Sequence, residues 1–388
     1  MHSTGILETS KATNPLKALL EYGQSLWLDY IRRDLLTSGR LKKMIEEDGL
    51  RGMTSNPSIF EKAIADSSLY DDVLQSLASR PDLDAKARYE QIAIRDIQGA
   101  ADILHPVYEQ SHFRDGYVSL EVSPLLALET EETIEEGRRL WKTVNRENVM
   151  IKVPGTAQGI PAIRQLISEG ININVTLLFA QEVYEEIAHT YVAGLEDLAK
   201  RGGNLKKMAG VASFFISRID TLVDSIIDDK LKTSNASQQE LLQNLKGKVA
   251  IANGKLAYQK YQRVFSGPRW QALSSQGAQT QRVLWASTST KNPAYSDVMY
   301  VEELIGPDTV NTMPPATVDA FRDHGKLRNS LTEDVPGAQK VMDDLAKTGI
   351  SIQEATTRLT TEGVKLFADA FNKLLQAVDK STHQKGRQ

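Results

Sequence analysis

The chain has 388 residues, of which 41% are hydrophobic and 25% charged, with a formal net charge of −4. That balance suits a soluble globular protein and argues against nucleic-acid binding, which needs a basic surface to displace counterions. There are no cysteines, so disulfides, thiolate nucleophiles and cysteine metal sites are excluded, and the six histidines form neither an HxH nor an HExxH pattern.

A histidine-ligated metal is therefore not expected, although carboxylate-bound magnesium stays open. No segment approaches the roughly 20 apolar residues needed to cross a bilayer. The N-terminus lacks a charged start followed by an apolar core, so no secretory signal is expected and the cytoplasm is the expected compartment. Residues 1–12 read as a polar, disordered tail.

Short apolar runs then alternate with long amphipathic stretches. In chain order the runs are Ser25–Asp29, Leu50–Ser55, Tyr117–Glu121, Val149–Val153, Ile171–Leu178, Met208–Phe214, Arg282–Ser287 and Thr309–Met313. Helical patterns fall between them, at Ala85–Gln110, Glu129–Val144, Gln181–Arg201 and Ser217–Leu231. Eight successive βα units predict an α/β fold, a single (β/α)8 TIM barrel with extra helices, over 13–379. A doubly wound sheet is the alternative. Two helical insertions, near 66–110 and 233–280, carry no strand pattern of their own and read as decorations of one domain; the second is a polar, Ser/Gln-rich stretch plus a helix. Ser351–Val378 reads as a long amphipathic helix packed across the barrel, and 380–388 as a second polar tail.

Strands of a closed parallel barrel are covered on both faces and should be apolar nearly throughout. Polar residues inside them are thus informative. In Val149-Met150-Ile151-Lys152-Val153 a lone lysine interrupts an apolar run. If Ile151 and Val153 meet the helix layer, Lys152 points into the barrel. A lysine buried in such a place favours its neutral, nucleophilic amine; a strand-end lysine snorkelling to solvent is the plain alternative. In Ile171-Asn172-Ile173-Asn174-Val175-Thr176 the polar residues share one parity, as on a strand with a polar lumen face or a half-exposed antiparallel strand. Asp29 and Glu121 each end a run, where a carboxylate can also cap the next helix.

Taken together, Asp29, Asn56, Glu121, Lys152, Asn174, Thr176 and Ser213 all fall at or near the C-terminal ends of different predicted strands. Active sites of (β/α)8 barrels are built at that rim. A lysine, two carboxylates and several amides and hydroxyls converging there suit carbonyl chemistry through an imine, not metal hydrolysis or hydride transfer.

Four segments resemble the transaldolase family: Gly52-Met53-Thr54-Ser55-Asn56-Pro57-Ser58, Ile151-Lys152-Val153-Pro154-Gly155-Thr156, Gly170–Phe179 and Ala212-Ser213-Phe214-Phe215-Ile216-Ser217-Arg218. The resemblance runs from about Asn14 to Phe371, and the polar insert before the seventh strand is similar to the long bacterial subgroup. It implies that Lys152 forms the Schiff base and that Asp29 handles the proton of the substrate's C4 hydroxyl. By the same resemblance Glu121 and Thr176 would hold a water that shuttles protons. Asn56, Asn174 and Ser213 bind the hydroxyls of the substrate, and Arg218 its phosphate.

Members often carry Ala-Ser-Phe-Arg after the seventh strand. Here Trp285-Ala286-Ser287-Thr288-Ser289-Thr290-Lys291 stands instead, so Ser287 carries over and Lys291, at a longer spacing, is the candidate for the arginine. The implied reaction converts sedoheptulose 7-phosphate and glyceraldehyde 3-phosphate to erythrose 4-phosphate and fructose 6-phosphate, in the pentose phosphate pathway and without a cofactor. A class I aldolase releasing free dihydroxyacetone is the competing activity; Phe215, beside the acid/base network in the family, leans toward transfer. A metal-dependent barrel aldolase and a catalytically silent binding barrel are the other readings. Expected partners are sugar phosphates, with neither nucleic acid nor membrane; a homodimer is compatible with them.

Overall fold

A computed structural model describes residues 14–65 and 67–385. Its eight strands are β1 (Gln24–Asp29), β2 (Gly52–Thr54), β3 (Tyr117–Glu121), β4 (Val149–Pro154), β5 (Ile173–Leu178), β6 (Gly210–Phe215), β7 (Arg282–Ala286) and β8 (Thr309–Met313). All neighbours pair in parallel, and β8 returns to β1, so the sheet closes into a barrel in chain order. Closure leaves no edge, which decides against the doubly wound sheet. Helices return the chain between strands and cover the outer face, as right-handed βα units require.

The alternation along each strand decides what faces inward. Ile151 and Val153 are fully buried toward the helix layer, leaving Lys152 for the lumen. Registers then stack the inward residues in layers: Glu121 pairs with Lys152, Lys152 with Asn174, and Asp29 with Thr54. Midway down, Trp27 fills the lumen beside Gly52, where a Cβ would stand 2.5 Å from the indole. The floor is polar. Arg282 at the foot of β7 donates to Ser25 Oγ and Asp115 Oδ1, both at 2.8 Å, while Ser25 donates to Asp115 Oδ2 at 2.7 Å.

Asn172 lies just below β5 rather than within it. Its amide donates to the carbonyls of Glu147 and Val149 and accepts from Ala209 N, so it stitches the barrel's lower end and stays away from the catalytic rim. The first insertion is helical, with Asp71–Ala78 followed by Ala85–Gln110, the latter capped by Asp84 accepting from Ala87 N at 2.7 Å. The second holds three helices where one was expected: Ala236–Leu245, Val249–Val264 and Pro268–Ser274. The polar Ser/Gln stretch becomes a helix because Asn235 and Gln238 close a capping box at its start.

The final helix, Ile352–Lys385, runs beyond the expected end at Val378, so residues 380–385 are helical rather than tail. It crosses the C-terminal mouth of the barrel, packing on the helices that follow β2 and β6 and on β5. The expected tail at 1–12 and the last residues, 386–388, lie outside the described residues. No helix among those described is long and apolar enough to cross a membrane.

Candidate active site

The strands' C-terminal ends open into a cavity of about 650 Å³. Asp29, Asn56, Lys152, Thr176, Ser213, Arg218, Ser287 and Lys291 all line it. Glu121 and Asn174 stand behind that wall.

At its base Lys152 is 5% exposed and Glu121 is 9% exposed. Lys152 Nζ lies 3.4 Å from Glu121 Oε2 and donates to the Ser55 carbonyl at 3.2 Å. The 3.4 Å approach is an ion-pair contact whose angle falls short of a hydrogen bond, so both Glu121 carboxyl oxygens, like the buried Thr176 Oγ1, lack a hydrogen-bond partner among the described residues. Glu121 and Thr176 come from the strands flanking β4, so polar capacity gathers on both sides of the amine.

Asn174 is oriented by two bonds. Its Nδ2 donates to Ser119 Oγ at 2.9 Å and its Oδ1 accepts from Ser213 Oγ at 2.7 Å. Asn174 is fully buried, and the bond from Ser213 ties it to a residue that lines the cavity. Asn56 lines the cavity, and its Oδ1 caps the helix Pro57–Ala65 by accepting from Ile59 N at 3.1 Å. Its Nδ2 and the second lone pair of its Oδ1 are left to face a ligand.

Across the base, Asp29 accepts from Thr54 Oγ1 at 2.7 Å, and Thr54 Oγ1 is 2.7 Å from Thr312 Oγ1. Burial pushes the Asp29 carboxyl up from its ordinary value, opposed by Lys152, by the Thr54 hydrogen bond and by Lys291. Burial likewise raises Glu121, with Lys152 opposing and Asp29 adding to the rise. Two carboxyls biased toward holding protons beside an amine suit repeated proton transfer.

At the rim Arg218 is half-buried, and no carboxylate lies within ion-pair distance of it among the described residues; its guanidinium rests 5.3 Å from the centre of the Phe215 ring. Lys291 donates to Ser289 Oγ at 2.8 Å, and partial burial together with the Arg218 charge lowers its pKa against the pull of Asp29. Ser287 shares a hydroxyl–hydroxyl bond of 2.9 Å with Ser217, at the start of the helix that carries Arg218. Unpaired cations beside hydroxyls form an anion receptor. Among the described residues no group of three His, Asp or Glu is placed to hold a metal ion.

The family described as transaldolase/fructose-6-phosphate aldolase matches residues 26–378. The chain belongs to the transaldolase/fructose-6-phosphate aldolase family. A transaldolase of Trichodesmium erythraeum is 48% identical over 372 residues, covering 95% of this chain and 97% of that protein. One of Thiobacillus denitrificans is 46% identical, covering 94% and 99%, and one of Mycobacterium leprae 44%, covering 95% and 97%.

For a member of this family, the structure adds wall residues that sequence reasoning missed. Thr54 sits in a motif that assigns it no role, and Thr312 lies in a run that reads only as a strand. Tyr30, Arg32, Lys62, Ser289 and Phe367 also line the cavity. Phe367 had no signal, since an aromatic on an amphipathic helix reads as core.

Proposed function

We propose that transaldolase catalysis in this chain runs through a Schiff base on Lys152, with Asp29, Glu121 and Thr176 moving the protons. The observation that carries the reading is the single layer formed by Glu121, Lys152 and Asn174 at the foot of a cavity whose rim holds an unpaired Arg218.

The neutral Lys152 amine attacks the C2 ketone of fructose 6-phosphate or sedoheptulose 7-phosphate, and the proton its nitrogen then sheds passes by way of Glu121 to the former carbonyl oxygen. Water leaves the carbinolamine, held between Glu121 and Thr176, and an iminium forms. Asp29 then takes the proton of the C4 hydroxyl. The C3–C4 bond breaks, its electrons pass toward the iminium nitrogen, and an aldose phosphate departs. General-base help of this kind is worth about 10²–10⁴ in rate. The enamine on Lys152 next bonds to an acceptor aldehyde, Asp29 returns the proton to the new hydroxyl, and hydrolysis frees the product ketose phosphate. Ping-pong kinetics follow.

Asn56 Nδ2 and Ser213 hold substrate hydroxyls, with Asn174 fixing Ser213. Arg218, Lys291 and Ser287 hold the phosphate. Placement in the pentose phosphate pathway and in the cytoplasm belongs to the same proposal, as sugar phosphates are too charged to cross a membrane unaided. So does a homodimer, which sedimentation velocity decides.

Product analysis tests the activity. Fructose 6-phosphate with erythrose 4-phosphate should give sedoheptulose 7-phosphate, and Lys152→Ala should abolish it with the fold intact by circular dichroism. Free dihydroxyacetone as the main product, with or without acceptor, would assign the chain to the aldolase branch instead.

A further inference from the structure

No step above uses the C-terminal helix, yet one of its side chains faces the reacting nitrogen. Phe367 is half-buried, lines the same cavity as Lys152, and its ring centre lies 5.6 Å from Lys152 Nζ. The ring is fixed from both directions along one helix face, since residues four apart share a face. Four residues earlier stands Gly363, where a Cβ would come within 2.9 Å of Leu177 Cδ2, so the helix lies tight against β5. Four residues later Phe371 is buried edge-on to Tyr89 at 5.8 Å, and Tyr89 is edge-on to Phe60 at 5.6 Å. Beneath the helix β5 itself is irregular: its register with β6 shifts between Val175 and Leu178, and Leu177 has φ of 61°. A leucine held in the left-handed region is uncommon and persists only where the surroundings impose it.

The neighbours of Nζ are therefore sided. Glu121 and the Ser55 carbonyl supply polar contacts, and Phe367 an apolar face. A phenyl ring has no group to move a proton. It can exclude water and lie against a positively charged nitrogen.

We propose that Phe367 is a shielding residue that keeps bulk water off the Lys152-bound three-carbon unit, and so decides whether that unit is transferred or lost. The proposal rests on Lys152 as the Schiff-base residue. In transfer, the enamine carbon bonds to the acceptor's aldehyde carbon and the aldehyde oxygen takes a proton. In loss, the enamine carbon takes a proton from water instead. Either iminium then adds water at carbon, the C–N bond breaks and the amine is restored; the first path frees a ketose phosphate, the second dihydroxyacetone. Water for that last step enters on the Glu121 and Thr176 side, so shielding by Phe367 leaves it open.

The experiment compares Phe367→Ala, Phe367→Gln and Phe367→Leu with the unsubstituted protein. Dihydroxyacetone release from fructose 6-phosphate alone is divided by the rate of transfer to saturating erythrose 4-phosphate. Both outcomes draw on one intermediate, so the quotient does not depend on how much of each variant is folded. Ala and Gln should raise it about tenfold or more, while Leu, equally apolar, should stay within about threefold. Gln preserves helix propensity and keeps the test sound should Ala impair folding. A quotient unchanged in both Ala and Gln, or a Leu variant as leaky as Ala, would overturn the shielding role. Borohydride reduction with fructose 6-phosphate runs alongside. An adduct on Lys152 with an unchanged quotient sinks this proposal alone, and an adduct on another lysine in the unsubstituted protein sinks the Schiff-base assignment beneath it.

Discussion

Thr54 donates its hydroxyl proton to Asp29 at 2.7 Å from the directly paired position on the next strand. Because Thr54 has one hydroxyl proton and directs it to Asp29, Thr312 donates to Thr54 across their 2.7 Å contact. The two threonines thus form a short hydrogen-bonded chain ending on Asp29, the proposed general base.

If Asp29 is the base, that chain should bear on the acidic side of the pH profile. Burial raises the Asp29 pKa and the Thr54 bond lowers it, because the bond favours the charged form. Thr54→Val should move the acidic limb of kcat/KM for fructose 6-phosphate to higher pH. Activity should then fall more at pH 5 than at pH 8. A limb that stays in place would separate Asp29 from the rate-controlling ionisation.

The rim cations should act on binding. Arg218→Ala removes a guanidinium with no acidic partner among the described residues, and charge-assisted hydrogen bonds are worth about 1.5–3 kcal/mol each. KM for fructose 6-phosphate should rise by about 10–100-fold with kcat much less affected, and Lys291→Ala should have a smaller effect of the same kind. Initial rates against unphosphorylated fructose provide the control, on which neither substitution should matter.

The barrel floor should control stability rather than chemistry. Asp115 accepts from Arg282, Ser25 and Trp27, and Arg282 is buried with it. Asp115→Ala leaves a buried guanidinium without its counter-charge, which should cost about 3–5 kcal/mol in a urea melt. The folded fraction should keep near-normal kcat, since the floor lies at the opposite end of the barrel from Lys152.

Asp220 gives a pH-dependent term of opposite sign to that of an ordinary paired carboxylate. It accepts from Ala250 N at 2.7 Å and from the Tyr300 hydroxyl at 2.9 Å, and burial, with Asp224 adding, pushes its pKa up to about 7. The folded state therefore holds a proton that the unfolded chain gives up near its ordinary value of 3.8. This contribution is fully present below the unfolded pKa and is lost as pH rises toward 7. Asp220→Asn keeps the bond from Ala250 N and turns the other round, its amide donating to the Tyr300 hydroxyl, without the charge, so its stability relative to the parent should climb by a few kcal/mol between pH 4 and pH 8, then level off. Paired denaturation curves at the two pH values measure it.

Much of this architecture can be read from residue order. The period of apolar runs gives all eight strands, and the lone Lys152 between Ile151 and Val153 fixes which way β4 faces. What could not be read depends on register and on distant packing. Asn174 reads as a ligand contact from its parity; the bonds that hold it between Ser119 and Ser213 depend on register. Asn56 ends a strand motif but is also the residue before Pro57, where a helix needs a cap. Thr312 and Phe367 lie far from the motifs in sequence and reach the site through barrel closure and a helix laid over the mouth. From the strand pattern, burial was the one effect on the amine that could be argued; the register adds a carboxylate 3.4 Å away that can accept its proton.

The central claim is that Lys152 carries the sugar covalently. Sodium borohydride added with fructose 6-phosphate, followed by peptide mass mapping, tests it most directly. The expected result is one reduced three-carbon adduct on Lys152, absent without the sugar and absent in Lys152→Ala. Full turnover with no adduct, or an adduct on a different lysine, would contradict the account.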